Sequence, residues 1–181
     1  MIGYTNIEEQ VDFDFTRARR RAFLRRMRAR IFGDPASTRM RSFEDVSNEL
    51  GAFNRVRVGK RAVAVEEIVG SVGRFRDFDR TFLPTRGSLE TRWKLVDRAY
   101  HRGHDLPPVS LFKLGDAYFV EDGNHRVSVA HYQGVEWIDA EVTILYGSTS
   151  AAAVQGSGTE PMEQDAAPVV VDRERVHAEA A

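Results

Sequence analysis

The fold turns on one stretch: Ala117-Tyr118-Phe119-Val120-Glu121-Asp122-Gly123-Asn124-His125-Arg126-Val127-Ser128-Val129-Ala130-His131. Its first four residues are β-branched, aromatic or small and predict a short strand. Asp122-Gly123 predicts a break, and the residues from Asn124 onward predict a helix carrying Val127 and Ala130 on one side. A helix opens with unpaired backbone N–H groups and the positive end of its dipole, so its first turn suits an anion. Arg126 adds a forked, permanently charged donor matched to phosphate oxygens, and Gly123 would let a ligand approach the main chain. The competing reading is ordinary turn chemistry, with His125 and Arg126 capping the element or pairing with Glu121.

The flanks extend the pattern. Val109 to Leu114 reads as a strand, Gly115-Asp116 as a hairpin turn into the strand at Ala117, Gly134 as the helix stop, and Trp137 to Ile144 as a further strand. Upstream, Ala62 to Val69 reads as a first strand and a short helix. With Asp122-Gly123-Asn124-His125-Arg126-Val127-Ser128-Val129-Ala130 followed by Gly134-Val135, residues 60 to 146 resemble the core of the ParB/sulfiredoxin superfamily.

That resemblance implies an α+β fold, a small mixed β-sheet with flanking helices, over a core domain of residues 59–146. It also implies that Gly123, Asn124, His125 and Arg126 hold a nucleotide's phosphates, with Ser128 adding a hydroxyl. The expected ligand is a nucleoside triphosphate or diphosphate, CTP or ATP/ADP, with Mg²⁺. The chain departs from the partition proteins in having Asn124-His125 where those carry Glu-Arg, and it shows no helix-turn-helix region after the core. Asp122-Gly123-Asn124-His125-Arg126 is also similar to the Asp-Gly-His-His-Arg of the related serine kinases, with Asn124 in place of the first His. On that likeness His125 would stabilise a transferring phosphoryl group, and a loop carboxylate such as Asp77 would take the substrate's hydroxyl proton. Sulfiredoxin chemistry is excluded, because its reacting cysteine would stand where Asn124 is.

Composition narrows the rest. The 181 residues suffice for one packed domain with extensions. The absence of cysteine excludes disulfides, thiolate metal sites and thiol nucleophiles. No apolar run reaches the ~20 residues of a membrane span. Glu8, Glu9, Asp12 and Asp14 stand where a signal peptide would be basic and then apolar, so a cytoplasmic protein is expected, with no membrane partner. Residues 1 to 61 carry 14 Lys/Arg against 8 Asp/Glu, while residues 148 to 181 carry 2 against 6. This asymmetry predicts a basic helical arm over residues 1–58 and a disordered, acidic tail over 147–181, the latter rich in Gly, Ser, Thr and Ala.

Within the arm, a helix is expected over residues 16 to 32, capped by Thr16, with Phe23, Leu24, Met27 and Ile31 facing the core. Its remaining surface is arginine: Arg17, Arg19, Arg20, Arg21, Arg25, Arg26, Arg28 and Arg30. Arg19, Arg20, Arg25, Arg26 and Arg28 are the candidate contacts to nucleic-acid phosphates, with DNA the expected partner. The competing reading is a solvated helix whose arginines pair with acids of the core. A second helix is expected from Ser42, with Phe43, Val46 and Leu50 inward and Gly51 as its end. Phe53 to Arg61 reads as a basic connector.

Residues 70 to 84 alternate aromatics with charges. They read as a wall or lid of the cleft, with Arg74, Arg76 and Arg80 toward phosphates and Asp77 or Asp79 as candidate base. The competing reading is a surface loop pinned by Phe75, Phe78 and Phe82 with internal Arg–Asp pairs. Ser88 would cap a helix whose seam is Leu89, Trp93, Val96 and Tyr100, with Trp93 in the core. His101 and His104 have no third obvious ligand, so no metal site is expected, and no carboxylate cluster supports a nuclease.

Three functions result: a ParB-like nucleotide-binding module, associated with DNA through the arginine helix; a small-molecule kinase or phosphohydrolase on the same fold; and a non-catalytic interaction protein with a degenerate cleft. Homodimerisation is left open.

Overall fold

The computed structural model describes residues 6–147, with Ala52, Phe53 and Gly147 described by backbone alone. The disorder expected beyond residue 147 lies outside the described residues. In chain order come α1 (Ile7–Phe32), β1 (Arg41–Ser42), α2 (Phe43–Leu50), β2 (Ala52–Ala64), β3 (Ile68–Ser71), α3 (Glu90–His101), β4 (Val109–Leu114), β5 (Ala117–Asp122), α4 (Asn124–Gln133) and β6 (Trp137–Gly147). The strands form one mixed sheet in the order β1-β3-β5-β4-β6-β2. Thus the fold is α+β, as expected.

The hairpin β4–β5 sits at the centre, closing at Leu114 opposite Ala117. β3 pairs parallel to β5, and β6 parallel to β4. Period-two alternation splits the hairpin between two layers. Val109, Leu111 and Val120 join Val63, Ile68, Ala140, Val142 and Val127 of α4 in one core. Phe112, Leu114 and Phe119 join Leu145 with Phe43 and Val46 of α2 in the other. A third cluster, Phe15, Ala18, Ala22, Leu83, Trp93 and Val129, binds α1 and α3 to the outer side of α4.

Several expectations change. Helix α1 begins at Ile7, not near Thr16, because Asn6 caps it by accepting from the Glu8 N–H at 3.0 Å. Its buried seam is Val11, Phe15, Ala18 and Ala22. Phe23, Leu24, Met27 and Ile31, expected inward, are exposed, Ile31 by 70%. Alanines let α1 lie close against its neighbours, and that preference outweighed the bulkier apolar spacing farther along. Leu50 is exposed as well, although α2 buries Phe43 and Val46 and ends at Gly51 in the left-handed region, as expected.

Residues 53 to 61 are not a connector. They belong to β2, which pairs antiparallel with β6 from Ala52 to Ala64, and Arg57 reaches across to Glu141. Arg55-Val56-Arg57-Val58 alternates at period two, a strand signal that its charge obscured. Residue 59 therefore falls inside a strand. Before α3, a 3-10 turn over Gly87–Leu89 takes the place of a Ser88 cap. Leu89 and Trp93 are buried, Val96 half-buried, and Tyr100 exposed. No helix among the described residues is long and apolar enough to cross a membrane.

Candidate functional site

The strand–break–helix unit forms as its sequence predicts, and each residue of it is placed by a specific contact. Gly123 has φ +98°, and a Cβ there would stand 2.6 Å from Val109 Cγ1 and 3.1 Å from Arg126 Cζ. The glycine thus serves the turn and the packing beneath it. Because Gly123 is the cap residue, α4 has no side-chain cap, and its first N–H groups meet an open cleft of about 240 Å³. Arg74, Arg92, Asp122, Asn124, His125 and Arg126 line that cleft.

Arg126 lines the cleft, but its guanidinium is engaged by acceptors of the protein itself. Its guanidinium donates to the carbonyls of Pro107 and Pro108, the latter at 2.7 Å, and to Asp122 at 2.6 Å. It locks the Pro107-Pro108 turn to the head of α4. Ser128 is fully buried, donating to the Phe82 carbonyl and accepting from Trp93 Nε1 at 2.9 Å, so it stands outside the cleft lining. Burial drives the His125 ring down to about 4, and the guanidiniums of Arg74 and Arg92 push the same way. His125 is therefore neutral at pH 7, set edge-on against Phe78 with ring centroids 5.5 Å apart. Its Nδ1 and the Oδ1 of Asn124 are buried and have no hydrogen-bond partner among the described residues. Such orphaned groups are costly and mark a strained corner.

The loop from Val72 to Arg86 is a fixed wall. Phe78 and Phe82 are buried, and Phe82 holds φ +55°, a conformation an aromatic residue adopts only under constraint. The constraint is Asp79, whose Oδ1 accepts from the Thr81 N–H at 2.9 Å and the Leu83 N–H at 3.0 Å. Asp77 is engaged by Arg74 at 3.1 Å and by Arg86 at 3.5 Å. The internal Arg–Asp pairing therefore coexists with the wall, and Arg74 belongs to both.

On the wall's other side lies a groove of about 760 Å³, lined by Arg26, Arg30, Arg39, Arg76, Arg86 and Phe75 among others. Arg76 lies over the Phe75 ring at 5.3 Å, so it lines this groove and not the cleft at α4. Among the nucleic-acid candidates, Arg26 lines the groove and Arg19 and Arg20 face a smaller hollow beside it. Arg28 lies over Phe32 at 5.9 Å. Arg25 is committed elsewhere, reaching Asp79 at 3.4 Å and the Thr81 hydroxyl.

Two features are not evident from the sequence. Arg92 faces the cleft from α3, one residue before Trp93, where the apolar seam masks its charged neighbour. Asp97 comes four residues after Trp93 and is wholly buried, bonded to Gln133 and near Asp14 and His101. An aspartate one turn beyond a core tryptophan was the available signal.

No known protein-family model matches the chain, and no curated protein matches its sequence. Among solved structures, the chain is similar to sulfiredoxin from Arabidopsis thaliana at 16% identity and a TM-score of 0.36, over 52% of this chain and 93% of that one.

Proposed function

We propose that this protein is a ParB-like nucleotide-binding module whose ligand's phosphates sit at the mouth of α4, between Arg74 and Arg92. One observation carries the reading: an uncapped helix start opens into a cleft toward which two guanidiniums project their charge. The Arg126 side chain positions that mouth through its bonds to Pro107, Pro108 and Asp122 and is not the ligand's charged contact. The cleft's 240 Å³ is below the ~300 Å³ at which pockets for whole small ligands begin. It therefore takes the phosphates and leaves the nucleoside outside. Among the described residues, the one carboxylate of the lining is Asp122, already paired with Arg126. A Mg²⁺ ion would thus arrive on the phosphates. Asp77, held by two arginines, is a poor candidate base, which favours binding over phosphoryl transfer.

A second reading, contact with DNA, rests on the arginine groove between α1 and the Val72–Arg86 wall. Its lining of Arg26, Arg30, Arg39, Arg76 and Arg86 offers cations to backbone phosphates.

Thermal unfolding with a panel of nucleoside di- and triphosphates, with and without Mg²⁺, tests the first reading. A ligand at a hundred times its dissociation constant adds about 2.7 kcal/mol, and Arg92→Ala should remove about half of that gain. Stability unchanged by every member would overturn the proposal. For DNA, affinity indifferent to salt would overturn the second reading.

A further inference from the structure

Where α1, α3 and the end of α4 meet, acidic groups are buried with too little positive charge. Asp14 comes from α1, and Asp97 and His101 lie at i and i+4 on one face of α3. One ligand atom from each of the three lies within 4.8 Å of the others. Asp14 is well served. Its Oδ1 accepts from the Tyr132 hydroxyl at 2.8 Å, and its Oδ2 from Gln10 Nε2 at 2.9 Å and His101 Nε2 at 3.0 Å. Burial works against its charge, yet these hydrogen bonds prevail and hold its carboxyl below the usual carboxylate range.

Asp97 is different. Its side chain is completely buried, and its Oδ1 accepts from Gln133 Nε2 at 2.7 Å. Its Oδ2 has no hydrogen-bond partner among the described residues and faces His101 Nε2 across 3.7 Å, too far for one. A carboxylate oxygen buried without a donor, beside a second carboxylate, calls for a cation.

We infer that Asp14, Asp97 and His101 bind one divalent transition-metal ion of the zinc class, which clamps the arginine-bearing helix α1 onto α3 and α4. The donor chemistry selects the ion: an imidazole nitrogen with two carboxylates suits Zn²⁺, or Co²⁺ in its place, and disfavours Mg²⁺, which prefers all-oxygen sites. Tyr132 and Gln133, already bonded to the two carboxylates, are the outer partners that orient them. His101 is partly exposed and supplies the entry path.

The experiment is calorimetric titration of the full chain, stripped with chelator, using ZnCl₂, CoCl₂ and MgCl₂. The expected result is one Zn²⁺ per chain, Co²⁺ bound with visible absorption characteristic of its coordination, no uptake of Mg²⁺, and a higher melting temperature with Zn²⁺. Asp97→Asn retains an oxygen for Gln133 and should weaken Zn²⁺ at least tenfold. His101→Gln, at the edge of the cluster, should do the same and provides a second variant should the first misfold. The inference is overturned if the wild-type chain takes up no Zn²⁺, or if both variants bind it as tightly as the wild type.

Discussion

The protein keeps its charge in two very different places. The outer half of α1 and the wall opposite carry many arginines, solvated and tolerant of one another. The junction of α1, α3 and α4 carries two aspartates and a histidine, largely removed from water. Exposed like charges cost little, since water and salt screen them. Buried ones must be answered by donors, by a proton or by a metal. Number of charges is therefore a poor guide to a site, and burial is the better one. The cleft at α4 lies between these extremes, with arginines at its rim and a neutral imidazole in its wall.

The largest effect expected is on the joint that supports both regions. Trp93→Ala removes a fully buried indole and its bond to Ser128, and should cost about 3–5 kcal/mol in denaturant unfolding. A loss below about 1 kcal/mol would mean that the two regions do not share this support. Next comes Arg126→Ala. It strips the hydrogen bonds to Pro107, Pro108 and Asp122, and a loss of about 1 kcal/mol is expected, chiefly from the part-buried Pro108 carbonyl, since water can serve the exposed Asp122. Arg92→Ala should do the reverse, leaving stability within about 0.5 kcal/mol while weakening nucleotide binding about tenfold in the same titration. If Arg126→Ala proved harmless to folding yet abolished binding, the roles assigned to these two arginines would be exchanged.

The pH dependence resolves the middle case. His125 has a folded value near 4 against an ordinary 6.5, so the unfolded chain takes up a proton that the folded chain refuses. Its contribution is fully present above about pH 6.5 and is lost as the pH falls toward 4. Replacing it by Asn should flatten that slope in chemical denaturation curves recorded across the window, and an unchanged slope would place the imidazole in water. The smallest effect belongs to the exposed arginines. Arg26→Gln should leave the melting temperature unchanged and lower the slope of log affinity against log salt for duplex DNA by about one.

Much of the centre was legible from residues alone, because local signals agreed there. Val109 to Leu114, the Gly115-Asp116 turn, the Gly123 break and the Gly134 stop each name their own element, and those elements follow one another along the chain as expected. The expected inward position of Trp93 holds for the same reason. What failed was decided by partners far away in sequence. The seam of α1 is made of alanines, whose value appears only when α3 and α4 approach, while Phe23 and Met27 show a helical spacing yet stay exposed among the described residues. Strand β2 was hidden by its arginines, which read as a solvated connector. At the candidate site, the place of Asn124 and His125 in the first turn of α4 was foreseeable. The capture of Arg126 by two proline carbonyls was not, since those prolines lie on another connection.

The proposed seat for a polyphosphate at the uncapped start of α4 can be probed without any nucleoside. Backbone amide shifts recorded during titration with inorganic pyrophosphate report on those N–H groups themselves. The N–H signals of Asn124, His125 and Arg126 and the side-chain signals of Arg74 and Arg92 should move together along one saturation curve. Movement confined to the arginines of α1, or none at all, would contradict the assignment.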